Sequence, residues 1–386
     1  MSWKKVKVGD CCEVTSSKRI FFSEYVDSGV PFYRSKEIIE TSNGQAISEP
    51  LFISQEKYEE IKKRFGVPQP GDMLLTSVGT IGVPYIVCEK DHFYFKDGNL
   101  TWFRNFSDEL DSKYLYFWVK SSEGQGVLNN TTIGSSQKAL TIASLKGLEI
   151  SCPPVAVQKR IVDILAGYDA MIENNQKQIK LLEEAAQRLY KEWFVDLRFP
   201  GYETTPVADG VPEGWRNGNL LEITEFKRGK TITKSQIAAG NIPVVAGGLE
   251  PAYYHNQANT TAPVITVSGS GANAGFTRMY YMDVFASDCS FVDINATPYV
   301  YFVYCFLKES KAILDSLQKG SAQPHVYAKD INTLSLLIPN KKYMELFVEK
   351  ATPLFTKIQT LEKQIKLATE ARDRLLPKLM GGGVEV

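Results

Sequence analysis

The chain is poor in histidine, and its cysteines are scattered. Only 3 of its 386 residues are His, and its 6 Cys (11, 12, 88, 152, 289 and 305) form no C-x-x-C pair and no His/Cys cluster. Metal binding is therefore not expected. No G-x-x-x-x-G-K-[ST] occurs, which removes one common phosphate-cradling loop. Net charge is missing too, since Lys+Arg and Asp+Glu are both 44. That balance argues against a basic tail, but charge sorted between faces still permits contact with a polyanion. The longest apolar run, Tyr299 to Leu307, is far short of the roughly 20 residues that span a bilayer. Met1-Ser2-Trp3-Lys4-Lys5 has no apolar signal region, so the expectation is a cytoplasmic protein with reduced thiols and no membrane contact.

Two isolated patterns hint at chemistry, and neither holds up. Ser268-Gly269-Ser270-Gly271-Ala272-Asn273-Ala274-Gly275 follows the β-branched run Val264 to Val267, as a dinucleotide loop would. Its spacing is wrong, however, and Phe276 to Tyr281 reads as a strand where a helix is needed. Glu225-Phe226-Lys227 fits the E-x-K of many nucleases, a three-letter pattern that chance supplies freely. No catalytic residue and no cofactor are expected.

What the chain does have is repetition. Gly134-Ser135-Ser136-Gln137 recurs as Gly320-Ser321-Ala322-Gln323, 186 residues on. At the same offset Gln178-Ile179-Lys180-Leu181 returns unchanged as Gln364-Ile365-Lys366-Leu367, and Arg188-Leu189 returns as Arg374-Leu375. The chain is a tandem duplication, built to read a two-part target or to hold two copies of a partner. Each copy opens near a Trp (Trp3, Trp215) and closes at a Pro (Pro153-Pro154, Pro339) that leads into a long helical pattern. The two Trp lie 212 residues apart, so the globular parts have diverged in length while the helices have not.

The first helix is expected from about Val155 to Phe194. Ile161, Leu165, Tyr168, Ile172, Asn175, Ile179, Leu182, Ala186, Leu189 and Trp193 follow alternating steps of four and three, an a/d heptad seam. Adding the offset gives Phe347, Ala351, Leu354, Ile358, Leu361, Ile365, Ala368, Arg372, Leu375 and Leu379. Each stripe is too long for its own small domain to cover, so the helices are expected to pair. Asn175, alone among apolar seam residues, reads either as a register-fixing polar group or as a solvated one. The resulting fold class is α+β, a pseudo-twofold tandem duplication of two similar domains joined by two long antiparallel coiled-coil helices. The expected parts are a domain over 1–152, a helix over 153–195, a linker over 196–212, a second domain over 213–338 and a second helix over 339–380.

The globular parts look like readers. Thr76-Ser77-Val78-Gly79-Thr80-Ile81-Gly82 and the Ser268 to Gly275 loop occupy matching places after a strand. Small hydroxyls (Thr76, Ser77, Ser268, Ser270), Asn273 and bare backbone amides there suit close approach to phosphates, or simply a hairpin turn. Basic residues recur beside aromatic ones at Arg34 and Lys36, at Lys227, Arg228 and Lys230, and from Lys319 through His325. Arg and Lys read guanine edges or neutralise phosphates. Ser135, Gln137 and Lys138 in the first Gly-Ser-x-Gln segment, with Ser321, Gln323 and His325 in the second, are candidates for the same face; capping of the following turn is the plain alternative.

The layout resembles the specificity subunits of type I restriction-modification systems along the whole chain. The local marks are Gly134-Ser135-Ser136-Gln137 running to Leu145 and Pro153-Pro154, then Gln158-Lys159-Arg160-Ile161; the second copy matches more loosely at Pro339-Asn340-Lys341-Lys342. The resemblance implies that each variable domain, a target recognition domain, reads one half of a bipartite double-stranded DNA site. It implies that the antiparallel helices set the spacer between the halves. It also implies partners rather than catalysis: two methyltransferase subunits that use S-adenosylmethionine, and ATP-dependent restriction subunits. The competing readings are a two-armed scaffold that binds only proteins, and a free-standing methyltransferase or nuclease.

Overall fold

A four-stranded sheet recurs in the two halves with one strand order. The computed structural model describes residues 3–134, 138–318 and 324–384. In the first half the order is Glu13–Thr15, Leu100–Arg104, Met73–Thr76, Pro84–Ile86. In the second it is Lys227–Arg228, Cys289–Asp293, Val264–Ser268, Thr277–Tyr280. All pairings in these two sheets are antiparallel. The inner strands Met73–Thr76 and Val264–Ser268 are buried at every residue, which explains why neither sequence alternates. Each half has a second sheet with a parallel pair, four-stranded in the first with Phe32 opposite Tyr94 and three-stranded in the second with Val244 opposite Phe285. A further antiparallel pair, Lys4–Lys7 with Glu149–Cys152 and Arg216–Asn219 with Ser335–Ile338, carries each copy to the start of its long helix.

The helices run Val155–Phe194 and Lys341–Met380, 40 residues each, or about 60 Å at 1.5 Å per residue. Two compact units divide them: Met1–Asn174 with Gln364–Val386, and Asn175–Lys363. In the first unit Ile161 and Leu165 are fully buried in one core with Leu376, Leu379 and Met380, and Tyr168, Ile172, Ile365 and Leu375 are half-buried. The Arg372 guanidinium donates to Asp169 Oδ1 at 2.6 Å there. In the second unit Ala186, Trp193, Phe347, Ala351, Ile358 and Leu361 are buried, with Ile179, Leu182, Leu189 and Leu354 half-buried. Asn175 is also buried, at 5 % exposure. The end of one helix therefore meets the other's beginning in each unit, an antiparallel pairing.

The apolar stripe is wider than a heptad seam. Val162, Tyr190, Phe194, Phe355 and Leu376 are buried although they lie off the a/d positions. Sheet-domain residues pack on the same helices: the rings of Tyr190 and Phe194 meet Phe302 at 5.3 and 4.9 Å. The helices pair as expected and are covered by each other and by the domains together. The apolar run at 299–307 becomes the buried helix Val300–Glu309. The 196–212 segment is more than a tether, since Phe199 is buried with its ring 4.6 Å from Trp215. Among the described residues no helix is long and apolar enough to cross a membrane.

Candidate nucleic-acid interface

Each central strand ends in a loop closed by the same two backbone hydrogen bonds. In the first unit Thr76 N donates to Val83 O at 3.1 Å and Gly82 N to Thr76 O at 2.9 Å; in the second Ser268 N donates to Phe276 O and Gly275 N to Ser268 O, both at 2.9 Å. Gly79 and Gly271 sit at matching places, with φ of 79° and 77°, and each has open space where a β-carbon would stand. A left-handed backbone at an open tip favours glycine; the Gly271 amide is itself engaged, donating to Pro324 O at 3.0 Å.

The segment that follows Gly-Ser-x-Gln returns to this loop in both units. Leu140 N donates to Ser77 O at 2.9 Å, and Val326 N donates to Gly269 O at 3.1 Å. Ala139 bridges Val78, and His325 bridges Ser270. A third strand end completes the platform: Asn99 O accepts from Ser77 N at 2.8 Å, and Asp288 O accepts from Gly269 N at 3.2 Å. Sequence-distant candidates are thus brought together. In the first unit Ser35 Oγ donates to Asn99 O at 3.3 Å, linking the helix start at Arg34–Lys36 to the Ser77 loop and so to the segment carrying exposed Lys138. In the second, Arg228, Asp288, His325 and Tyr327 line one small cleft, with the His325 and Tyr327 rings stacked at 5.9 Å.

Several side chains chosen from the sequence are committed inside the fold, and these readings are corrected. Thr76 and Ser77 are buried; Thr76 Oγ1 accepts from Val83 N at 2.9 Å and Ser77 Oγ lies 2.7 Å from Thr101 Oγ1. Ser268 is buried and donates to Gly247 O at 3.0 Å. Their hydroxyls shape the turn, so the loop offers its exposed tip, Gly79 and Thr80, instead. Arg34 closes the start of the Ser35–Ser42 helix: its amide donates to Glu37 Oε2 at 2.6 Å and its Nε to Oε1 at 3.1 Å, and Glu37 is fully buried. That hydrogen bond holds the guanidinium more firmly protonated than usual, and withdrawing it would strand a buried carboxylate.

Other candidates stay at the surface. Lys227, Arg228, Lys230 and Lys138 are exposed. Lys36 pairs with Glu49 at 3.0 Å between exposed groups, a contact cheap to exchange for phosphate. Arg228 lies 3.8 Å from Asp288, and Ser270 Oγ donates to the same carboxylate. Asn273 is half-exposed in the short turn Gly271–Asn273. Ser135, Gln137, Ser321 and Gln323 lie outside the described residues. Sequence reasoning missed Asn99 and Asp288. They occupy one structural position yet lie 189 residues apart, an offset that no repeated motif marks.

The chain builds the same loop platform twice, each on its own sheet. It belongs to a known family: the type I restriction modification DNA specificity domain matches residues 1–184 and 212–370. The type I restriction enzyme MjaIX specificity subunit of Methanocaldococcus jannaschii is 27% identical over 100% of this chain and 94% of its own length. A putative type I restriction enzyme specificity subunit of Haemophilus influenzae is 30% identical over 49% of this chain and 46% of its own. Among solved structures, the S subunit of a type I restriction-modification system from M. genitalium shares the fold, with a TM-score of 0.63 and 17% identity over 98% of this chain and 96% of that one.

Proposed function

We propose that the chain is the DNA-reading subunit of a type I restriction-modification complex, with each globular domain (1–152 and 213–338) reading one half of a bipartite double-stranded site. The observation that carries this is the twin platform, in which the post-Gly-Ser-x-Gln segment is tied to the Ser77 loop and again to the Gly269 loop. The exposed tip Gly79–Thr80 and Lys138 in one unit, with Arg228, Lys230, Asn273 and His325 in the other, supply phosphate and base contacts. The paired helices set the spacer, since two reading sites engage a duplex together only when their separation fits the helical repeat.

Methylation and cleavage then belong to partners. Two methyltransferase subunits dock on the helices, where Ile164 and Met171 in the first unit and Leu181 in the second are exposed apolar residues. Restriction subunits join that assembly. Duplication supports the two-to-one ratio, and mass determination of the reconstituted complex checks it; a single methyltransferase per chain would contradict it. For DNA reading the test is an exchange of residues 1–150 with those of a homologous subunit, followed by methylation mapping in the host. One half of the methylated sequence should change. A change in both halves, or in neither, would sink the assignment of one reader per domain.

A further inference from the structure

We infer that Gln125 and Gln318 are positioning residues for DNA reading, each clamping the loop of its own unit so that the tip meets the duplex in one arrangement; this rests on the DNA-reading assignment above. The platform bonds hold only the outgoing limb of each loop, at Ser77 in the first unit and at Gly269 in the second. The returning limb is held by a side chain. In the first unit that side chain is Gln125, in the helix Ser122–Thr131. Both hydrogens of its amide are used, since Nε2 donates to Gly82 O and to Val119 O, each at 2.8 Å. A loop restrained on both limbs has less freedom to lose on binding.

Local geometry delivers Gln125 to the loop. Val119 O lies in the last turn of the helix Ser112–Lys120, where carbonyls lose their intrahelical partners. Ser121 turns the chain there: its hydroxyl donates to Trp118 O at 2.6 Å and accepts from Gly124 N at 3.1 Å. Gly124 passes so close that a β-carbon would stand 2.0 Å from Trp118 O. Gly82 meets the glutamine with a bare α-carbon, at a φ of 83° and with only 3.1 Å between an added β-carbon and Gln125 Oε1. Helix Ser112–Lys120 is anchored in turn, because Tyr114, Leu115, Phe117 and Trp118 share a core with Ile161 and Leu165. The clamp thus joins the loop to the buried core of its unit.

The second unit makes the same kind of bond from a different place. Gln318 Nε2 donates to Ala274 O at 3.0 Å, on the returning limb one residue before Gly275. Equivalent pairs on either side run at offsets of 189 (288 − 99) and 186 (326 − 140), whereas the two glutamines are 193 apart (318 − 125). Gln125 lies inside its helix, and Gln318 lies beyond the end of the helix Lys311–Ser316. A bond rebuilt from two positions in diverged domains points to a requirement of the loop rather than to common descent. Ala274 also adjoins Asn273, one of the contacts assigned above. Reading groups need placement to about 0.5 Å, which supporting hydrogen bonds of this kind supply.

The test uses the chain assembled with its methyltransferase subunits, in competition binding between the mapped duplex and duplexes changed at single base pairs of one half-site. Gln125→Met keeps the length of the side chain and removes the donor. It is expected to lower discrimination in the first half-site roughly two- to ten-fold and to leave the second at the parental ratio. Gln125→Lys returns an N–H donor and should restore the first half-site. Gln318→Met should relax the second half-site and spare the first. A purely structural loss weakens matched and changed duplexes alike, so the ratio between them is unmoved whatever fraction of the protein is folded. That result overturns the inference, as does Gln125→Lys failing to restore the ratio. A parent complex that does not distinguish the mapped duplex from the changed ones overturns the DNA-reading assignment instead, and is told apart because it needs no substitution.

Discussion

The amide of Leu140 donates a 2.9 Å hydrogen bond to the carbonyl of Ser77, pinning the segment after Gly-Ser-x-Gln to the end of a central strand more than sixty residues earlier. Val326 and Gly269 repeat it in the second unit. Proline at Leu140 or at Val326 removes the donor and leaves a carbonyl unsatisfied, at a cost of about 1–3 kcal/mol. Each substitution should blur one half of the recognised sequence and spare the other. Methylation mapping of hosts carrying either variant checks this.

Asp288 stands where the first unit has Asn99, and it holds both Ser270 and Arg228. Asp288→Asn removes the charge that restrains Arg228 and is expected to change base preference in the second half-site only. One side chain reading a base edge discriminates by about 1–3 kcal/mol. Competition binding with duplexes mutated in one half or the other reads the effect directly.

Phe347 is fully buried where the two helices meet in the second unit, with the rings of Tyr190, Trp193 and Phe194 at 5.9, 6.2 and 5.4 Å. Phe347→Ala should cost about 3–5 kcal/mol through lost burial and an unfilled cavity. Denaturant unfolding followed by near-ultraviolet circular dichroism would show the midpoint shift.

Burial raises the Glu183 carboxyl above its ordinary 4.5, with Lys308 and the Tyr304 hydroxyl opposing. The folded unit therefore binds this proton more tightly than the unfolded chain does. Stability from that proton is complete below the ordinary value and is lost as pH rises through the raised one. Glu183→Gln should be the more stable protein at neutral pH, with the advantage shrinking in acid. Melting curves from about pH 4 to about pH 8 test the sign.

The helices and their seam were legible because a 3.6-residue period survives any domain packed beside it; the expected span of the first helix is the observed one. The duplication was legible for the same reason, since it is a property of the letters. The hydroxyls of Thr76, Ser77 and Ser268 misled because a polar residue at the end of a fully buried strand satisfies itself inward, on Thr101, Val83 or Gly247. Arg34 misled similarly, as nothing local announces that Glu37 is buried under it. Asn99 and Asp288 stayed hidden because sheet register, not sequence similarity, makes them equivalent.

The boundaries of the two units fall at 174 and 363, just before the identical stretches Gln178–Leu181 and Gln364–Leu367. At the level of the gene, a crossover between those repeats would excise the second unit in frame. Residues 1–177 would join 364–386, and the helix begun at Val155 would run on into Gln364–Met380 with its heptad phase unbroken, because the seam recurs at that offset. The shortened product would keep every segment of the first unit and carry one long helix with no antiparallel mate in its own chain. Two such products could supply each other's missing helix, so a symmetric pair of identical units is one recombination event away from this tandem chain.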